Sequence, residues 1–205
     1  MQYSTFAAID IGSYDVILEI FEISKKQGIR SVDKICHRME LGKDTYTLGK
    51  IRPEMEEELC RVLADFVRIM EGYRVDDYRA TASSAISEAS NSLYVLGKIH
   101  QLTGFSVTVL SNSEQRFLSY KALAAMEDNF NKIIEKGTAI LDLDGGSFQI
   151  SLFDKDALVT TQNIRMGSLR IRERLAGIQS ETEHYEEMVE ELIWNEVSSL
   201  SLIHI

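Results

Sequence analysis

One short acidic–glycine turn occurs twice, at the same point of what reads as a single repeated unit. Asp10-Ile11-Gly12-Ser13 closes an apolar stretch, and Asp142-Leu143-Asp144-Gly145-Gly146-Ser147 closes another, 132 residues further on (142 − 10). An Asp at a strand end, followed by Gly and Ser, opens a tight hairpin. Gly permits positive φ and lets the backbone approach a ligand, and successive N–H groups form an anion nest. Ser13 and Ser147 add hydroxyl donors. Asp10 and Asp142 would hold Mg²⁺ directly or through water, since magnesium takes few carboxylates and completes its shell from phosphate oxygens. Two such hairpins would clamp a phosphate chain from both sides. Taken singly, each motif is more often an ordinary turn. Placed in register within a repeat, the pair reads as a site.

The patterning around the turns supports the repeat. Thr5–Ile11 and Val16–Ile23 read as strands, the second through the alternation of Val16, Leu18 and Ile20, and Ser31–Leu41 reads as a third. Pro53 suits a first helical position. Leu59, Val62, Leu63, Phe66 and Met70 follow at helical spacing, with Gly72 as the expected stop. Tyr78–Ala82 is a short strand. Asn91–Thr103 is a helix with Leu93, Leu96, Ile99 and Leu102 assigned to one face, ended by Gly104. Phe105–Leu110 is a strand, and Ser113–Met126 a helix with Ser113 as its N-cap. The order is β-β-β-α-β-α-β-α, a mixed sheet covered by helices. Then it restarts: strands at Thr138–Leu143, Ser147–Phe153 and Ala157–Asn163, a helix at Ser168–Ala176, and another opening with a capping box at Ser180 and Glu183.

The expected domains are a first lobe at 1–126 and the start of a second at 127–199. The second copy stops short of its remaining strands, so it is expected to be truncated. Residues 200–205 match the translation of a sequencing-library adaptor end and are expected to be a non-native tail, with a natural apolar C-terminus as the alternative.

Composition bounds the function. With 22 basic against 32 acidic residues the net charge is −10, and no basic stripe of a nucleic-acid binder is visible. No apolar run is long enough for a membrane span and no signal peptide is read. Cys36 and Cys60 are isolated, so a reducing, cytoplasmic location is the default.

Beyond the turns, Ala80-Thr81-Ala82-Ser83-Ser84-Ala85-Ile86-Ser87-Glu88-Ala89-Ser90-Asn91, Val109-Leu110-Ser111-Asn112-Ser113-Glu114-Gln115 and Ile164-Arg165-Met166-Gly167-Ser168-Leu169-Arg170-Ile171 occur in a fixed order. With the two turns, these segments resemble the bacterial exopolyphosphatase / guanosine pentaphosphate phosphohydrolase family of the sugar kinase–actin-like superfamily, from Phe6 to about Leu175. The resemblance implies an α/β fold of two ribonuclease H-like lobes, the second incomplete, and Mg²⁺-dependent hydrolysis of a terminal phosphoanhydride. The substrate implied is inorganic polyphosphate or a guanosine alarmone, with no nucleic acid or membrane partner and a homodimer allowed. Gly12, Ser13, Ser84, Gly145, Gly146 and Ser147 would bind phosphate, and Asp10, Asp142 and Asp144 the metal.

Departures from the family pattern fall on the chemistry. The family's catalytic glutamate falls on Gln115, and a second glutamate on Gln149. An arginine falls on Ser87, an asparagine on Tyr14 and a glycine on Asp144. Gln can orient a water but cannot take its proton, and a general base supplies about 10²–10⁴-fold. Losing an arginine removes a bidentate phosphate contact. Glu114 could substitute only if its loop shifts, since helical neighbours point about 100° apart. Arg116 reads as a solvated helix position. His37, His100 and His184 have no metal spacing. Tyr46 and Lys43 sit in an expected loop, Gly42–Gly49, where an ordinary connection is the favoured reading. Glu54, Glu56, Glu57 and Glu58 suit a helix N-terminus. Three functions follow as expectations: a hydrolase, an inactive phosphate-chain or alarmone sensor, and an actin-like or sugar-kinase-like ATPase.

Overall fold

The computed structural model describes residues 3–127, 129–176 and 184–201. They fall into two compact units, Met1–Ser119 and Tyr120–Ile205. No described helix is long and apolar enough to cross a membrane.

The first unit holds strands β1 (Ser4–Ile11), β2 (Asp15–Ser24), β3 (Gly28–Arg38), β4 (Asp77–Ala82) and β5 (Val107–Val109) in the order β3-β2-β1-β4-β5. β1 runs antiparallel to β2 and parallel to β4. This is the mixed sheet that the sequence predicts. The period-2 pattern sets its register: Ala7, Ile9 and Ile11 face Ile20, Leu18 and Val16 across the β1–β2 ladder, and all six are buried. Helix α2 (Pro53–Tyr73) covers the sheet with Leu59, Val62, Leu63 and Phe66, one stripe at helical spacing. Each fully buried Leu, Ile or Phe contributes about 1.5–3 kcal/mol, so this shared core holds β1 and its terminal turn in place.

Several local expectations need correction. β3 ends at Arg38, and the segment expected as strand end and loop is helix α1 (Leu41–Leu48). Its ends are set by left-handed residues, Glu40 at φ 55° and Gly49 at φ 70°. α2 runs through Gly72, and Arg74 at φ 54° closes it instead. A short helix α3 (Ser84–Ser87) follows β4. In α4 (Ser92–Thr103) the buried residues are Val95 and Ile99, whereas Leu93 and Leu102 are 85% and 58% exposed. Nine residues at about 100° each place 93 and 102 on opposite faces, so no single stripe holds both. Gly104, at φ 75°, ends α4 as expected. Helix α5 (Asn112–Met126) starts one residue before the expected Ser113 cap.

The second unit contains α6 (Phe130–Ile134), the antiparallel strands β6 (Thr138–Leu143), β7 (Phe148–Asp154) and β8 (Ala157–Ile164), then α7 (Ser168–Leu175) and α8 (Tyr185–Ser201). β7 and β8 are joined through Lys155 and Asp156, both with positive φ, the conformation of a two-residue type I′ hairpin. β6 is the counterpart of β1, but Leu141 and Leu143 are each 63% exposed where Ile9 and Ile11 are buried. The expected capping box at Ser180 and Glu183, and the last four residues of the expected tail, lie outside the described residues.

Candidate functional site

The first turn is built from the end of β1. Asp10 is its penultimate residue, exposed on the face opposite Ile9 and Ile11. Gly12 donates its N–H to the Asp15 carbonyl at 3.0 Å. A Cβ on Gly12 would lie 2.8 Å from that carbonyl oxygen and 3.8 Å from Asp10 Oδ2. Positive φ is not what the position requires; among the described residues the glycines that adopt it are Gly28, Gly49, Gly104 and Gly137. Close backbone approach is.

The turn's carbonyls are tied to the segment that enters α1. Tyr14 O accepts from Met39 N–H at 3.1 Å and Glu40 N–H at 2.9 Å, and Ser13 O accepts from Gly42 N–H at 2.8 Å. The Ser13 hydroxyl is buried and meets Tyr46 Oη at 2.6 Å and Ser84 Oγ at 3.2 Å. Tyr46 Oη also meets Ser84 Oγ, at 2.7 Å. The structure therefore brings Ser13 and Ser84 into contact and adds Tyr46. Nearby, Ser83 Oγ is buried with no hydrogen-bond partner among the described residues. Ser87 is exposed at the end of α3.

The second turn repeats this design. Asp144 O accepts from Ser168 N–H at 3.0 Å, and Gly145 O accepts from Leu169 and Arg170 N–H at 3.1 and 3.3 Å. Arg170 Nε donates to Gly146 O at 2.6 Å. The first turn of α7 thus takes up the carbonyls of the glycine loop. Gly167 permits this contact, since a Cβ there would sit 2.3 Å from the Gly145 carbonyl carbon. In both turns, then, carbonyl oxygens are engaged by the chain at the start of the helix that follows the third strand, in the first turn mostly by the residues just before it. Among the described residues, the N–H groups of Ser13, Gly146 and Ser147 enter none of the backbone bonds. Asp144 caps its own loop: Oδ1 accepts from Gly145 N–H at 2.5 Å.

Asp142, Gln149 and Asn163 form one cross-strand row over β6, β7 and β8. Gln149 is 3% exposed, and its Oε1 and the Oδ1 of Asn163 are buried acceptors without a hydrogen-bond donor among the described residues. Such orphaned oxygens cost about 1–3 kcal/mol each. Asn163 carries no motif and was not legible as a site residue. In the neighbouring row, Ser151 Oγ accepts from Tyr120 Oη and meets Thr161 Oγ1 at 3.2 Å.

Gln115 lies half-buried in the first turn of α5, its N–H on Ser111 O at 2.9 Å. Glu114 is committed to a capping box. Its Oε2 accepts from Ser111 N–H at 2.9 Å and Ser111 Oγ at 2.7 Å, while its own N–H donates to Ser111 Oγ at 3.3 Å. Ser111, not Ser113, is the cap. Those bonds, the backbone one first, hold the Glu114 carboxyl below its ordinary value.

Among the described residues, no cluster of three or more His, Cys, Asp or Glu could hold a metal. Each turn nevertheless has one strand-end carboxylate, Asp10 or Asp142, and Gln149 adds an orphaned oxygen in the second. This donor set fits a magnesium ion that completes its shell from phosphate and water, and does not fit an all-protein cage.

Comparison with known proteins places the chain. The model of the Ppx/GppA phosphatase family matches residues 19–202. The chain is 22% identical over 174 residues to the bifunctional 3-dehydroquinate synthase/phosphatase of Fusobacterium nucleatum, covering 82% of this chain and 26% of that protein. It is 25% identical over 144 residues to exopolyphosphatase 1 of Mycobacterium leprae, covering 70% of this chain and 41% of that one. The crystal structure of the Aquifex aeolicus Ppx/GppA family member superposes with a TM-score of 0.71 at 23% identity, over 97% of this chain and 63% of the Aquifex chain. The chain therefore spans less than half the length of these curated relatives.

Proposed function

Since the chain belongs to the Ppx/GppA phosphatase family, we propose that it is the phosphate-gripping part of a phosphoanhydride hydrolase acting on inorganic polyphosphate or a guanosine penta- or tetraphosphate. One observation carries this reading. Both turns spend their carbonyl oxygens on the chain at the start of an adjoining helix and leave amides at Ser13, Gly146 and Ser147 outside the backbone ladder among the described residues. A loop so arranged presents donors, which is what an anionic phosphate chain needs.

Within the reading, Gly12, Ser13 and Ser84 serve one phosphate and Gly145, Gly146 and Ser147 another. Asp10 and Asp142 would hold Mg²⁺, which when bound neutralises phosphate charge and polarises the phosphorus–oxygen bonds. Water activation is the weak step. Gln115 and Gln149 can orient a water but carry no base, and the Glu114 carboxylate is engaged by Ser111. Turnover is therefore slower than in a relative with glutamates at those positions, by about 10²–10⁴-fold.

The test is phosphate release from polyphosphate and from guanosine pentaphosphate by the protein carrying this chain, beside Asp142→Ala. Release above that control supports a hydrolase. Saturable calorimetric binding without release supports the second reading, a sensor of phosphate chains, which the substitutions at Ser87, Gln115 and Gln149 favour. Neither binding nor release refutes both.

A further inference from the structure

Tyr46 lies outside every motif that carries the family resemblance, yet its hydroxyl sits at the centre of the first turn's side chains. It is 2.6 Å from Ser13 Oγ and 2.7 Å from Ser84 Oγ, while the two serine oxygens are 3.2 Å apart. The residues beside it fix its place. Asp44, 1% exposed, accepts from Arg52 N–H and Nε–H, both at 2.9 Å. Thr45 Oγ1 donates to Ala85 O at 2.7 Å. Three consecutive residues of α1 thus engage three separate anchors, so the phenol is held against the turn rather than swinging in solvent.

The proton count limits what this cluster can do. Three hydroxyls hold three protons, and a closed ring of three contacts uses all of them. A phosphate oxygen only accepts, so binding requires one contact to open. The Ser13–Ser84 contact is the longest and hence the weakest. Ser13, 1% exposed, keeps its hydroxyl within the cluster, whereas Ser84 is half-buried at the first position of α3. Opening that contact leaves a chain: Ser13 donates to Tyr46, Tyr46 to Ser84, and Ser84 to the phosphate oxygen. No proton is gained or lost. A phenol is a stronger donor than an aliphatic hydroxyl, and donors in a chain polarise one another.

The geometry points to Tyr46 as a positioning residue for condensed phosphate, the middle link that orients and polarises Ser84. This rests on the reading that the first turn binds phosphate. The experiment is calorimetric titration of the whole chain with tripolyphosphate and Mg²⁺, for wild type, Tyr46→Phe, Ser84→Ala and the double variant. Tyr46→Phe is expected to weaken binding about 5–10-fold. On the Ser84→Ala background the same change is expected to alter affinity by less than about twofold, because the link it supported is gone. A purely structural role gives the same loss on both backgrounds. That result, or no loss from Tyr46→Phe alone, overturns the assignment while leaving phosphate binding standing. A wild-type chain that binds no tripolyphosphate brings down the reading of the turn and this assignment with it. Should Tyr46→Phe fail to fold, 3-fluorotyrosine at position 46 keeps the hydroxyl and strengthens the donor. Tighter binding then supports the relay, and unchanged affinity overturns it.

Discussion

A methyl group at position 167 has nowhere to go. In Gly167→Ala it would lie 2.3 Å from the Gly145 carbonyl carbon and 2.4 Å from the carbonyl oxygens of Asp144 and Gly145. All three atoms are backbone, so no side-chain rotation relieves the overlap. Ordinary contact starts at 3.4 Å, so the glycine loop and α7 must part by about 1 Å. That separation carries the Ser168, Leu169 and Arg170 N–H contacts, now 3.0, 3.1 and 3.3 Å, out of bonding range. Losing three such bonds costs about 0.5–1.5 kcal/mol each, and whatever overlap remains adds about 1–3 kcal/mol. The expected loss is therefore about 2.5–7.5 kcal/mol, a large share of the roughly 5–15 kcal/mol that holds a domain folded. Urea unfolding followed by circular dichroism measures it. Gly72→Ala and Gly97→Ala, helical positions with nothing within 4 Å of the added Cβ, are the controls and should gain about 0.5–1 kcal/mol each. A Gly167→Ala chain as stable as wild type, with tripolyphosphate binding intact, would refute the claim that α7 holds the second turn.

Three further outcomes follow from single contacts. Gln149→Met removes a buried acceptor that has no donor; unfolding stability should rise by about 1 kcal/mol, while calorimetric affinity for tripolyphosphate with Mg²⁺ falls. Asn91→Ala removes the bonds to both N–H and C=O of buried Ile51, at 3.0 and 2.8 Å, and the urea midpoint should drop by the equivalent of about 2–3 kcal/mol. Glu114 has a folded-state pKa below its ordinary 4.5, so its capping box stabilises above that value and is lost as pH falls through the lowered one. Glu114→Gln should remove this acid-side dependence from unfolding curves, and an unchanged pH profile would show the box to be energetically idle.

The strands of the mixed sheet and both turns were legible because their signals are local and periodic. Val16, Leu18 and Ile20 alternate, and Pro53 opens a stripe that repeats at helical spacing, so a short window suffices. Helix α1 was not legible. Leu41 continues the apolar rhythm of β3, and the residue that breaks it, Glu40 at φ 55°, carries none of the glycine chemistry that usually marks a left-handed position. The face of α4 was misassigned because Leu93 and Leu102 are as apolar as the buried Val95 and Ile99, and composition alone does not locate a stripe. Ser13 and Ser84, 71 residues apart in sequence, come into contact. Tyr46, Asn163 and the exacting contact at Gly167 depend on which residues pack together across many positions in sequence, and no local pattern encodes that.

The engagement of the turn carbonyls also couples the binding of metal to that of phosphate. With the oxygens of Ser13, Tyr14, Asp144, Gly145 and Gly146 already accepting hydrogen bonds, a divalent cation finds little main-chain oxygen there, and no cluster of three acidic side chains replaces it among the described residues. Metal alone should bind weakly, and so should a bare phosphate chain beside Asp10 and Asp142. Each supplies the charge the other lacks, so each should raise the other's affinity by the same factor, as thermodynamic linkage requires.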